Sequence, residues 1–477
     1  MRTFALCLAA CAAIVHALPY PRSLRSHKRD SGSKLVVAHH IVGNTFPYTE
    51  SNWASDIKLA YDSGLDGFAL NVGVDSWQPD RVADAYSAAA SSGTDFKLFI
   101  SFDMSSLPCT SSDNAATLRS YITSYATHPN QLLVDGKVFA STFSGSDCTF
   151  GQANAQQGWQ TQFINQLTGS NAVHFVPSFF VDPTTFSEFD GVMNGAFNWN
   201  GGWPISLTTT SVGSVASQLG DTVFPTDVEA VLNQTIGTFD TDSQYISGVS
   251  TLTGGATTYI AAVSPWFFTH YSPATYDKNW IYLADYWLYN ARWETLVANR
   301  DSVDIVELIT WNDYGESHYV GPIEGAQPMY TTWATGYDHQ GWLAMTNYYA
   351  TAFRTGSYPE ITNDQLYMWA RPHPKDAVAS SDSTGDPTNH QLTEDKLWAV
   401  VFATAPSTVT ITTGSAQTFS VPAGVTKLAV QLTPGAGMSG TITRDGSTVV
   451  SVNADGYTFN ANPSEYNFNA FVAYASS

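Results

Sequence analysis

Short apolar runs recur along the first two thirds of the chain, each followed by a polar loop and then a stretch with helical spacing. Eight runs stand out: Lys34–Val42 (KLVVAHHIV), Gly67–Gly73 (GFALNVG), Phe96–Met104 (FKLFISFDM), Lys137–Phe143 (KVFASTF), Val173–Phe180 (VHFVPSFF), Gly195–Gly201 (GAFNWNG), Thr257–Trp266 (TTYIAAVSPW) and Ile305–Thr310 (IVELIT). Several are continuous rather than alternating, as in parallel strands buried on both faces. Thr49–Ala60, Asp80–Ala90, Ala115–Ala126 and Thr275–Asn299 carry apolar residues at helical spacing. Eight strand–helix units over roughly 285 residues predict an α/β fold, a (β/α)8 TIM barrel. An open doubly wound sheet is the alternative, but no Gly-rich phosphate loop follows any of the strands.

The pattern changes twice downstream. A long aromatic segment follows Trp311 and ends near Pro374. Residues 376–396 open with the turn-rich stretch DAVASSDSTGDPTNHQL, which reads as a linker. From Leu397, short alternating strands such as STVTITTG and TKLAVQLTPG are separated by Gly, Pro and Asp-Gly turns, which predicts an antiparallel β-sandwich over 397–477. The barrel is then expected over 30–375.

At the other end, Met1–Ala17 joins a basic residue to an apolar run and a small-residue stop, the form of a secretory signal peptide. Residues 18–29 end in the dibasic pair Lys28-Arg29 and read as a propeptide, with an uncut arm as the alternative. Five of the 20 basic residues and no acid precede Asp30, so the processed chain carries 15 − 41 = −26 charges. A surface so acidic excludes nucleic acid and anionic membrane as partners and fits a neutral substrate and a secreted, extracellular or cell-wall setting. Cys7 and Cys11 leave with the signal, and Cys109 and Cys148 remain as an expected disulfide. Asn233-Gln-Thr235 is the N-glycosylation acceptor. A monomer is expected.

Charged residues make up 13% of the chain, about half the usual share, while aromatics also reach 13%. Rings in such number build a core, and they also line grooves for sugars. Barrel chemistry sits where strands end. The strand ends here offer His39, Asn71, Asp103, Asn198, Trp199, Trp266, Trp311 and Asn312, followed by Asp313, Glu316 and His318. Amides, carboxylates, histidines and indoles suit a polyol. Neither a G-x-S-x-G elbow nor an H-E-x-x-H metal pair occurs, so no metal or cofactor is expected. Glycoside hydrolysis needs two carboxyl groups, and Asp313 and Glu316 stand three apart around Gly315. A carboxyl beside another in an aromatic pocket is expected to have its pKa raised. Glu316 is then expected to be the acid and Asp313 the base.

Around these residues the sequence resembles the fungal α-1,3-glucanases called mutanases, glycoside hydrolase family 71. The likeness rests on VVAHHIVGNTFPY, GLDGFALNVG, LFISFDM and above all ITWNDYGESHYVGP, and it runs over most of 34–350. It implies a (β/α)8 barrel with a C-terminal β-sandwich, no cofactor, and hydrolysis of α-1,3-glucan with inversion by Asp313 and Glu316. Asp66, Asn71 and Asp103 fall in further family motifs. The alternatives are a non-catalytic glucan-binding wall protein and a hydrolase of another α-linked polysaccharide.

Overall fold

The computed structural model describes residues 34–211, 232, 235–324, 327 and 331–477. The signal peptide, the 18–29 segment and Asn233 lie outside the described residues.

Among the described residues the N-terminal sheet has nine strands; the short Leu133–Val134 runs antiparallel along one of its neighbours, and the other eight are parallel: β1 (Leu35–Ile41), β2 (Gly67–Val72), β3 (Lys97–Asp103), β4 (Lys137–Phe143), β5 (Val173–Phe175), β6 (Gly195–Asn198), β7 (Thr258–Val263) and β8 (Ile305–Leu308). They lie side by side in the order 5-4-3-2-1-8-7-6. The order follows the chain around, with β1 paired to β8 from Leu35↔Ile305 onward, whereas a doubly wound sheet reverses at a switch point. Two backbone bonds join the outermost strands: Asn194 N–H donates to Phe175 O at 2.7 Å, and Phe197 N–H to Pro177 O at 3.0 Å. Most strand residues are buried on both faces, which explains why the runs are continuous.

Three expected helices form as Glu50–Asp62, Gln78–Ser91 and Ser112–Tyr125. Thr49 with Asn52, and Ser111 with Asn114, close reciprocal capping boxes at the first and third. The fourth does not form as expected. Asp277, Tyr286 and Trp287 take left-handed backbone angles, which break a helix over Thr275–Asn299. Lys278–Ile281 pairs instead with Phe268–Tyr271 as an antiparallel hairpin, and the helix begins only at Leu288. Asp240 and Asp242 read from the sequence as helix caps. Asp242 is in fact buried and paired through both oxygens with the Arg292 guanidinium.

Beyond this lie two four-stranded antiparallel sheets. Strand Gln365–Ala370 sits inside the first, between Lys396–Ala403 and Phe471–Ser476. The expected boundary at 375/376 therefore cuts through this unit. The reason lies in two-sided burial: Leu366, Met368, Leu397 and Val401 face the second sheet, while Tyr367, Trp369, Trp398 and Phe402 join the core of the N-terminal unit. Such strands lose the alternation that marks a half-exposed sheet. Each large apolar side chain buried there contributes about 1.5–3 kcal/mol. The stretch expected as a linker packs onto its surroundings, with Asp382 bonding to His270 and Glu394 N–H to Asp285. Cys109 and Cys148 are disulfide-bonded. Among the described residues no helix is long and apolar enough to cross a membrane.

Candidate active site

The site is built on the loop after β8. Thr310 N–H donates to His318 O, Val320 N–H to Thr310 O and Gly321 N–H to Trp311 O, which zips the loop's two ends together. Asn312 ties the loop to β1: its Oδ1 accepts Ile41 N–H at 2.7 Å and its Nδ2 donates to Ile41 O at 3.0 Å. Residues 313–317 must then turn outward. Asp313 Oδ1 accepts Glu316 N–H at 3.1 Å, the hydrogen bond of an Asx-type turn. A side chain at Gly315 would meet the Tyr271 hydroxyl at 2.4 Å and would have to displace it from its hydrogen bond with Thr331.

The turn brings both acids onto one imidazole. His318 Nε2 lies 3.1 Å from Glu316 Oε2 and 3.4 Å from Asp313 Oδ2. Lys278, on the hairpin, sets its Nζ 2.8 Å from Glu316 Oε1. The carboxylates are about one-fifth exposed, while His318 is wholly enclosed. Phe267 stacks on the imidazole at 5.5 Å, and Trp203 and Trp199 meet it edge-on at 5.3 and 6.2 Å. Tyr282 packs against both Trp203 and Phe267.

The electrostatics reverse one expectation. Burial pushes the Glu316 carboxyl up, but the His318 hydrogen bond and the Lys278 charge outweigh it and bring the group down to about 2. A raised Glu316 pKa was expected from two neighbouring acids, and the two cationic partners overturn it. Burial lowers the His318 imidazole, but Asp313 and Glu316 outweigh that and raise it to about 9. The resting site therefore stores its proton on His318 and keeps Glu316 ionised. Asp313, Glu316 and His318 each offer one atom within 4.8 Å of the others, a spacing that would accept a cation. Lys278 already supplies positive charge to Glu316, and the imidazole nitrogen faces both carboxylates, so the set reads as an ion-pair network.

Other expected residues divide into two groups. Trp199 walls the site and meets His39 edge-on at 4.8 Å. His39 is buried beneath it, with Nδ1 2.7 Å from Glu307 Oε1. Asp103 lies within electrostatic reach of Lys278, and its Oδ1 accepts from Ser105. Asn71 is buried at the end of β2, in register with Ile41 and Ser101. The second group does scaffold work. Trp266 donates its indole N–H to Phe468 O and carries Arg371 over its ring, so it belongs to the contact with the C-terminal sheets. Trp311 is buried against Phe68 and His40. Asn198 bonds Tyr259, Thr241 and Gly201, and Asn312 is spent on Ile41. Asp66 sits at the opposite end of the strands, where it pairs with Arg354. Sequence reasoning missed Lys278, Phe267 and Glu307. The available signal for Lys278 was a lone lysine inside the aromatic stretch TYDKNWIY.

A family model described as glycosyl hydrolase family 71 matches residues 32–477. The chain is 39% identical to "Glucan endo-1,3-alpha-glucosidase agn1" of Schizosaccharomyces pombe, covering 93% of this chain and 95% of that protein. It is 30% identical to "Mutanase Pc12g07500" of Penicillium rubens, over 98% and 94%, and 30% identical to the S. pombe "Ascus wall endo-1,3-alpha-glucanase", over 82% and 84%. Among solved structures, a GH99 endo-alpha-mannosidase from Bacteroides thetaiotaomicron aligns with a TM-score of 0.45 at 10% identity, over 69% of this chain and 99% of that one. The chain belongs to glycosyl hydrolase family 71.

Proposed function

We propose that the protein is a secreted, endo-acting hydrolase of α-1,3-glucan, with Asp313 and Glu316 as its catalytic pair. The observation that carries the reading is the sharing of His318 Nε2 by both carboxylates, 3.1 and 3.4 Å away, in a ring-walled site at the end of β8. The two S. pombe relatives whose names specify an endo-1,3-alpha activity on glucan match this chain over 95% and 84% of their own length, which supports the linkage.

In the mechanism we assign, Glu316 protonates the leaving oxygen and Asp313 takes the proton of the attacking water. Since Glu316 rests ionised, it first receives a proton from His318 across the 3.1 Å contact as the sugar covers the site. The C1–O bond breaks, the water oxygen bonds C1, and the proton left on Asp313 returns to the shared imidazole nitrogen. One proton is thus recycled through one ring. The nearest oxygens of the two carboxyls lie within 4.8 Å, closer than the roughly 6.5–9.5 Å gap of inverting enzymes. Inversion therefore requires the Asp313 and Glu316 carboxyls to move apart when substrate and water enter between them. Proton NMR of the first product tests this: α-1,3-glucan yields a β-anomer on inversion and an α-anomer on retention.

We further assign residues 1–17 as a cleaved signal, the eight strands as a closed barrel, and the C-terminal sheets as a β-sandwich beginning at Gln365. The protein acts as a monomer on a polysaccharide outside the cell or in its wall. Incubation with insoluble α-1,3-glucan and a reducing-end assay tests the activity, and a chain that binds the glucan without releasing ends refutes it.

A further inference from the structure

The hairpin that carries Lys278 is held from outside. Within it, Lys278 pairs with Tyr271 and Asn279 with His270, and Phe268 N–H donates to Glu316 O at 3.0 Å. A two-stranded ribbon is marginal in water by itself. Residues 382–388, expected as linker, lie along its edge. Asp382 Oδ2 is 2.8 Å from His270 Nε2, with both side chains nearly buried. His270 Nδ1 meets Asn279 Oδ1 at 2.8 Å, and Asn279 Nδ2 donates to Gly385 O at 3.0 Å. Thr388 N–H donates to Asn279 O, and Ile281 N–H to Thr388 O. The segment is itself pinned to the C-terminal unit: Ser380 and Ser381 N–H donate to Pro463 and Ser464 O, and Tyr466 N–H donates to Asp382 Oδ2.

We propose that Asp382–Thr388 is a positioning strap for the catalytic acid: it fixes the hairpin that sets Lys278 against Glu316, so the C-terminal unit takes part in the chemistry through Lys278. The proposal rests on the catalytic reading of Glu316. Lys278 is a positioning residue, since it acts through the carboxylate it holds. Its side chain is 44% exposed, and its place is set by its backbone neighbours Asn279 and Trp280, which are the residues the strap binds.

The groups facing this pair are His318 and Asp313 on the loop, Asp103 at the end of β3, and the phenols of Tyr271 and Tyr282. Removing one cation from this set lets the remaining groups keep their proton to higher pH.

The test is the pH profile of kcat/KM on soluble α-1,3-glucan oligomers. Lys278→Met moves the alkaline limb up by about one pH unit, and Lys278→Arg restores it. Asp382→Asn, of the same shape, moves the limb the same way by less. Asn279→Ser, on the hairpin itself, repeats the effect if Asp382→Asn folds poorly by circular dichroism. The double variant Asp382→Asn/Lys278→Met matches Lys278→Met alone, because the strap acts only through the lysine. A limb unmoved by either strap variant, or strap and lysine effects that add, overturns the proposal. Full activity in Glu316→Gln would instead overturn the catalytic reading beneath it.

Discussion

Glu316 and His318 share a 3.1 Å hydrogen bond inside a wall of aromatic rings; His318 and Lys278 draw the Glu316 carboxyl down, and Asp313 together with Glu316 draws the His318 imidazole up. The coupling fixes how the folded state responds to pH. His318 is raised in the fold from 6.5 to about 9, so its contribution to stability is complete below 6.5 and is lost as pH rises through 9. Glu316 is lowered from 4.5 to about 2, so its contribution is complete above 4.5 and is lost as pH falls through 2. The pair stabilises most between about 4.5 and 6.5. Melting temperature followed against pH should fall between 6.5 and 9 in the native chain, and His318→Gln should flatten that limb.

Trp266 and Trp203 separate scaffold from site. Both are indoles near strand ends, yet only Trp203 touches the His318 ring. Trp266 packs on Trp342 and under Arg371. Trp203→Ala should raise KM for glucan oligomers several-fold. Trp266→Phe should lower the melting temperature and leave KM in place. Steady-state kinetics beside a thermal melt distinguishes the two.

The Asp242–Arg292 pair is buried among apolar strands, with Tyr259 as a further donor to the carboxylate. Arg292→Met strands a buried charge and should cost about 3–5 kcal/mol. Replacing both partners with apolar residues should recover part of that loss. Urea midpoints of the single and double variants give the comparison.

Reduction of Cys109–Cys148 frees a separation of 39 residues. Loop-closure entropy puts the loss at about 4 kcal/mol. A melt with and without a thiol reductant reads it directly.

What was legible in the sequence follows from how local the signal is. The β8 loop announced itself because Asp313, Glu316 and His318 act within a single turn, so proximity in sequence is proximity in space. Continuous apolar runs marked the parallel strands for the same reason. Lys278 was hidden because Trp280, Leu283 and Trp287 happen to fall at helical intervals, while left-handed angles at Asp277, Tyr286 and Trp287 break any such helix. Residues 382–388 read as linker because polar turn residues look alike whether they float in water or cap a packed segment through Asp382. The strand at Gln365–Ala370 escapes a sequence reading because its rings face the N-terminal core and its aliphatic side chains face the second sheet, which leaves no alternation to read. Trp266 and Trp311 were assigned to substrate because an indole at a strand end can turn toward the mouth or toward the scaffold, and composition is silent on which.

The most direct measurement is the rate of reducing-end release from insoluble α-1,3-glucan by the native chain and by Asp313→Asn and Glu316→Gln, each checked for a native melt. Both folded variants should lose about 10²- to 10⁴-fold in kcat. Near-native release by either one would contradict the assignment of that carboxyl to the chemistry.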